Sequence, residues 1–175
     1  NKMIIKAKKF ILRPYRKGDE KSLQENINDA NVTRFMSSRI PFPYKIKDAK
    51  WWINRSLKLR RMKKPSAVNF AIEVNGKVVG GMGVEYSNER HRAEIGYWLG
   101  KKYWNRGIMA EAVKLTTNFG FKKLKLKRIF ATVFPKNKIS AYILEKNGYK
   151  LEGIMKKYHV KNGKLIDALL YAKTK

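Results

Sequence analysis

The chain contains no cysteine, so disulfides, thiol nucleophiles and thiolate metal centres are excluded from the outset. Histidine is nearly absent too: His91 and His159 stand far apart, which argues against a zinc site and leaves no metal expected. Long apolar runs are missing. No segment approaches the roughly 18 to 20 uninterrupted apolar residues that span a bilayer, and the opening NKMIIKAKKF lacks the apolar stretch of a secretory signal, so a cytoplasmic protein is expected. Acidic residues are scarce, 13 Asp+Glu against 41 Lys+Arg, leaving a formal charge of +28.

What is present describes one folded unit. With 175 residues, 43% hydrophobic and 12% aromatic, the chain can bury a core, and no repeat or linker divides it, so residues 1–175 read as a single domain. Its charge attracts polyanions: nucleic acid, acidic lipid surfaces and phosphorylated cofactors. The densest basic pieces, LKLRRMKK and KKLKLKR, read as a helix end and a helix-to-strand connection, which favours a solvated basic surface over a dedicated nucleic-acid site.

The most informative stretch runs from Glu94 to Phe121. Ile95, Tyr97 and Leu99 alternate with Glu94, Gly96 and Trp98, the period of a strand, and Gly96 marks either a bulge or a close approach of backbone or ligand. From Ile108 the apolar spacing changes to four, three and four through Ala112, Leu115 and Phe119, which predicts an amphipathic helix. Gly107 sits at its mouth. The unpaired amides from Asn105 to Ala110 are suited to a pyrophosphate, and an ordinary strand-to-helix turn is the alternative.

Along the rest of the chain, FILRPY predicts a first strand, followed by a helix from Asp19 toward Ala30, a helical piece over Val32 to Ser38, and a break at Pro41 and Pro43. A helix from about Asp48, its expected N-cap, runs to Arg61. NFAIEV and KVVGGMGVEY flank Asn75-Gly76, a hairpin signal, and a turn at Ser87 to Arg90 leads into the Glu94 strand. RIFATVF, a helix over Ile139 to Lys146 and a hairpin around Asn162-Gly163 complete the order. It predicts an α+β fold with a mixed, mainly antiparallel sheet of about seven strands. The strands either side of the Trp104 to Phe121 helix are expected to run parallel.

EIGYWL, WNRGIMAEA, NKISAYILEKNGY and LEGIMKKYHVKNGKLIDALLYA, in that order, resemble the GNAT superfamily of acetyl-CoA-dependent N-acetyltransferases, especially its ribosomal-protein alanine N-acetyltransferase branch. The likeness covers nearly the whole chain. It implies acetyl-CoA as cosubstrate, lying in a cleft where the glycine strand splays from its neighbour at a bulge, with pantetheine paired to the backbone of Gly96, Tyr97, Trp98 and Leu99. The family's phosphate motif (Gln or Arg, two residues, Gly, one residue, Gly or Ala) falls on Trp104, Asn105, Arg106, Gly107, Ile108 and Met109, with Ala110 following; Trp104 and Met109 depart from it. Arg106 is placed to add a charge-assisted contact. Asn137 matches a residue that hydrogen-bonds pantetheine and Ser140 one near the thioester sulfur; both also suit capping of the helix that starts there. A tyrosine that protonates the thiolate elsewhere in the superfamily is replaced by Leu144, leaving Ser140 and Tyr142 as substitutes.

Direct transfer from a ternary complex needs a neutral amine, oxyanion donors and a route for the ammonium proton. Glu94 is the candidate base, acting through water, with Glu85 second; the amides near Tyr97 to Leu99 are the oxyanion donors, and His159 is a further proton acceptor to consider. The expected acceptor is a protein or peptide N-terminal α-amine, whose pKa of about 8 asks less of a base than lysine at about 10.4. The Pro41 to Tyr44 loop is its expected rim. A small amine, polyamine or aminoglycoside-like, is the alternative if Glu85, Glu89 and Glu94 make the cleft acidic. A non-catalytic RNA- or ribosome-binding module is the other, and salt-sensitive binding would distinguish it. Nonspecific nucleic-acid or ribosome association is considered alongside catalysis, no membrane partner is expected, and the oligomeric state is open between monomer and homodimer.

Overall fold

The computed structural model describes residues 3–175. Eight strands form one sheet in the order β1-β2-β3-β4-β5-β6-β8-β7. In chain order these are β1 (Ile5–Lys6), β2 (Ile11–Arg13), α1 (Glu20–Ile27), α2 (Ala30–Thr33), α3 (Ile46–Arg61), β3 (Ala67–Val74), β4 (Lys77–Tyr86), β5 (Arg92–Leu99), α4 (Ile108–Lys122), β6 (Arg128–Val133), α5 (Lys138–Lys146), β7 (Lys150–Lys161) and β8 (Lys164–Thr174). The strand beyond the expected seven is β1, two residues hydrogen-bonded back onto β2. All neighbours are antiparallel except β5 and β6, the parallel pair joined by the α4 crossover.

Alternating residues commit each strand to two faces. On β3, Phe70 and Ile72 join a core with Ile108, Ala112 and Val113 of α4 and Leu144 of α5, whereas Ala71 between them joins Leu23 and Ile27 of α1 and Ala49 and Ile53 of α3. α4 and α5 therefore cover one side of the sheet and α1 and α3 the other.

Several element boundaries differ from the sequence reading. α3 begins at Ile46 because the Asp48 carboxylate is not an N-cap; it reaches back from the first turn to accept the Lys45 backbone N–H (2.8 Å). The second helical piece lies earlier, over Ala30–Thr33, where Asp29 accepts the Asn31 N–H (2.8 Å). Asp19 precedes α1 as expected, yet its carboxylate is spent elsewhere: Arg13, 5% exposed, grips it bidentately (2.8 and 2.9 Å) and donates Nε to Glu73 (2.7 Å). α4 starts at Ile108, where the helical period in the sequence begins, and not at Trp104, because Asn105 and Gly107 both adopt positive φ and Lys101–Tyr103 forms a separate 3-10 turn. No bulge occurs at Gly96, where pairing with β4 runs unbroken from Gly80↔Leu99 to Tyr86↔Ala93.

Candidate active site

The ends of β5 and β6 and the starts of α4 and α5 meet at one end of the sheet. β5 pairs with β6 at only three positions, Arg92↔Arg128, Ala93↔Ile129 and Glu94↔Phe130. Beyond Glu94 the two strands part. From Ile95 onward, the backbone N–H and C=O groups on the β6 side of β5, which belong to Ile95, Tyr97 and Leu99, therefore have no strand opposite them. Gly96 lies in this stretch with its backbone turned to Gly83 of β4, and a Cβ built on it meets nothing within 4 Å, so the sheet face it points to is open there. The gap arises from the end of strand pairing, not from a bulge.

A cradle of amides adjoins this gap. Gly107 (φ 75°) leads directly into α4, and the first helical bond at this end is from the Glu111 N–H to the Gly107 carbonyl (3.2 Å). The N–H groups of Ile108, Met109 and Ala110 thus lack helical partners, and Gly107 brings no side chain to cap them. A left-handed residue followed by right-handed ones turns successive N–H groups toward one concavity, where the helix dipole is positive. Nothing lies within 4 Å of a Cβ built at Gly107, so the cradle is open in front. Met109, one of the two departures from the family motif, is half-buried against the core.

Trp104 locks this loop: its indole Nε1 donates to the Leu99 carbonyl (2.8 Å) and its ring packs on both cores. Leu99 therefore has its carbonyl satisfied, Tyr97 presents its backbone on the free strand edge, and the Trp98 backbone is paired with Gly81 of β4. Asn105 and Arg106 are exposed, with the Arg106 guanidinium 5.4 Å from the centre of the Tyr103 ring. The sequence reading missed Lys9, whose Nζ donates to the Arg106 carbonyl (2.8 Å) and brings a second cation to the cradle. Nothing local distinguishes it from the other lysines; the fold brings it there from the β1–β2 turn.

Glu94 and Glu85 are direct cross-strand partners on β5 and β4, so their side chains share a face. Burial pushes the Glu94 carboxyl above the usual carboxylate range, and the Glu85 charge pushes it further; Arg39 and the Thr132 hydroxyl act in the opposite direction. A recessed carboxylate with a raised pKa is a stronger base than an exposed one. Arg39, from the segment between α2 and α3, was not foreseen. In the expected acceptor rim, Pro41, Phe42 and Pro43 are exposed and Tyr44 is buried.

On the other side of the gap, Asn137 caps α5, its Oδ1 accepting the Ser140 N–H (3.3 Å). The capping alternative is thus realised, and the Asn137 –NH2 remains available as a donor. Ser140 is 8% exposed, and its hydroxyl is 2.6 Å from the Tyr97 phenol. Leu144 is fully buried in the core, and Tyr142 is 64% exposed. His159 packs beside Phe134 (5.1 Å) and Tyr158 (4.9 Å), its Nε2 buried without a hydrogen-bond partner, and burial lowers its pKa, which favours the neutral ring. The neighbouring Lys161 ties the β7–β8 hairpin to α2 by donating to the Thr33 and Met36 carbonyls (3.0 and 2.9 Å).

A free strand edge leading to an uncapped helix N-terminus, with a recessed carboxylate nearby, defines a site for an extended, phosphate-ended donor and a second, proton-bearing substrate. Comparison with known proteins supplies the family. Residues 9–150 match the acetyltransferase (GNAT) domain, and the chain belongs to the GNAT acetyltransferase family, whose acetyl donor is acetyl-CoA. It is 30% identical over 167 residues to the uncharacterized N-acetyltransferase p20 of Bacillus licheniformis, covering 95% of this chain and 93% of the relative. The crystal structure of a GNAT-family acetyltransferase from Bacillus anthracis superposes with TM-score 0.83 at 29% identity, covering 98% of each chain. That of a ribosomal-protein-S5-alanine acetyltransferase from Vibrio fischeri superposes with TM-score 0.82 at 25% identity, covering 98% of this chain and 96% of the other.

Proposed function

We propose that this acetyltransferase passes the acetyl group of acetyl-CoA directly to the α-amine of a protein or peptide N-terminus. The observation that carries the reading is the parting of β5 from β6 after Glu94, beside the open N-terminus of α4. Pantetheine adds to the free β5 edge through the backbone of Ile95 and Tyr97, the groups turned away from β4, and the pyrophosphate lies against the Ile108, Met109 and Ala110 amides, with Arg106 and Lys9 close by. The Asn137 amide donates to pantetheine at the far wall. The acceptor amine enters on the face bearing Glu94, which removes its proton, through water or directly, while strand amides near Tyr97 hold the oxyanion. The likeness to a ribosomal-protein-S5-alanine acetyltransferase supports a protein N-terminus, as does the low pKa of an α-amine, and the +28 charge favours neutral or acidic peptides over polycations.

The Glu85–Glu94 pair favours a second reading, in which two carboxylates receive a small cationic amine. Incubation with acetyl-CoA and matched peptides decides between them. Mass spectrometry is expected to find acetyl on the free α-amine, none on an Nα-blocked peptide that contains lysine, and little on spermidine. Acetylation of spermidine alone would refute the N-terminal reading.

A further inference from the structure

The hydroxyls of Tyr97 and Ser140 lie 2.6 Å apart on opposite sides of the β5–β6 gap, one on β5 and one in the first turn of α5. Between them they carry two hydrogens, and their mutual bond uses one. No other acceptor for either hydroxyl lies within hydrogen-bond distance among the described residues, so one O–H remains unspent. A serine in a helix commonly donates back to the carbonyl of the preceding turn. The Tyr97 phenol draws the Ser140 hydroxyl toward the gap instead. Both partners are held in place: the Ser140 N–H is anchored on Asn137, and the Tyr97 ring packs on the core. The position where related enzymes carry a tyrosine acid holds Leu144, fully buried, and Tyr142 is largely in solvent.

We propose that Tyr97 is a positioning residue for the leaving group, its phenol holding the Ser140 hydroxyl so that the pair presents one O–H to the departing sulfur. The proposal rests on the reading of the gap as the acetyl-CoA site. In the step, the amine lone pair forms the C–N bond at the thioester carbonyl carbon, and the C–S bond breaks with its electron pair on sulfur. The ammonium proton leaves by way of Glu94. The sulfur accepts the hydrogen bond of the Ser140–Tyr97 pair as a thiolate and takes its proton from solvent. Burial pushes the Tyr97 phenol up to about 12, against about 8.5 for a free thiol, so the pair donates a hydrogen bond and keeps its proton.

The test compares binding of CoA with that of desulfo-CoA, which lacks the thiol, by calorimetry between pH 7 and 9.5. The wild-type chain, Tyr97→Phe, Ser140→Ala and the double variant are compared, each checked for folding by thermal melting. In the wild type, preference for CoA is expected to grow about 10-fold as the thiol ionises, the scale of one hydrogen bond to a charged group. Tyr97→Phe, which keeps the ring, is expected to lose that growth and about 10-fold in kcat, with the acetyl-CoA KM within twofold. The double variant is expected to be no worse than Ser140→Ala alone, since the two groups act as one unit. A Tyr97→Phe protein that keeps both kcat and the pH-dependent preference would overturn the proposal, as would additive losses. Desulfo-CoA binding without any thiol preference in the wild type would overturn it while leaving the acetyl-CoA reading intact; failure to bind either ligand would overturn both.

Discussion

Replacing Gly107 by glutamate separates the cradle's chemistry from its backbone. Gly107 has φ 75°, a conformation that costs a residue with a Cβ about 1–2 kcal/mol. For a domain of this size that lowers Tm by roughly 2–8 °C. The side chain itself meets no clash, because a Cβ there has nothing within 4 Å. Its carboxylate would, however, stand where the pyrophosphate is expected. Two unit charges about 5 Å apart repel by about 1 kcal/mol in water and about 3 kcal/mol at an effective dielectric of 20. The expected loss of acetyl-CoA affinity is therefore about 5- to 150-fold. Gly163, at the β7–β8 hairpin tip with φ 73° and equally empty surroundings, supplies the control. Gly163→Glu carries similar backbone strain away from the cradle, so the two variants should melt alike and differ in titration calorimetry. Wild-type affinity in a folded Gly107→Glu protein would refute the phosphate cradle.

Glu94→Gln is expected to lower kcat about 100-fold and to remove the rise of kcat/KM with pH through the ionisation of Glu94, leaving only the limb set by the acceptor amine. The same substitution should affect stability. A carboxyl whose folded-state pKa is raised contributes stability below its unfolded pKa and loses that contribution as pH climbs through the raised value. Glu94→Gln should therefore melt above wild type near neutrality and lose that advantage in acid; the opposite trend in melts from pH 4 to 7.5 would exclude a desolvated carboxylate. Asp19→Ala strands the buried Arg13 guanidinium with Glu73 as its remaining carboxylate partner and is expected to cost about 3–5 kcal/mol in denaturant unfolding, against less than 1 kcal/mol if the contact behaves as an exposed pair.

Local chemistry made much of the fold legible. Asn75-Gly76 and Asn162-Gly163 announce their hairpins because few residues tolerate the positive φ that both turns adopt. The change from period two to a helical period at Ile108 announces the crossover and hence the parallel pair. Asp48 was misplaced by one role because an aspartate suits both the N-cap and the first helical turn, and only the backbone shows which N–H it takes. Asp19 was read as a helix starter, yet it is held by Arg13, which also grips Glu73 some sixty residues farther on, a pairing that no local pattern encodes. Gly107, Asn137, Ser140 and Glu94 could be named from the sequence, and they border the gap or its mouth. Lys9 and Arg39 could not be, being two cations among 41. The Tyr97 phenol stayed hidden because its place in the strand alternation marks it as packing, and its ring does pack.

The end of strand pairing at Glu94 also divides the site along the chain. Apart from Lys9, both walls of the gap, the cradle and the Tyr97–Ser140 link come from one unbroken stretch, β5 through the start of α5. Glu85, Arg39 and the hairpin holding His159 and Lys161 come from segments before and after it. On the proposed reading, the donor half is thus built almost wholly by near neighbours in sequence, and the acceptor side joins Glu94 of that stretch to Glu85 and Arg39 from distant ones. On that reading, changes in β4 or the α2–α3 connection are expected to retune the choice of amine while the groups that hold the thioester stay as they are.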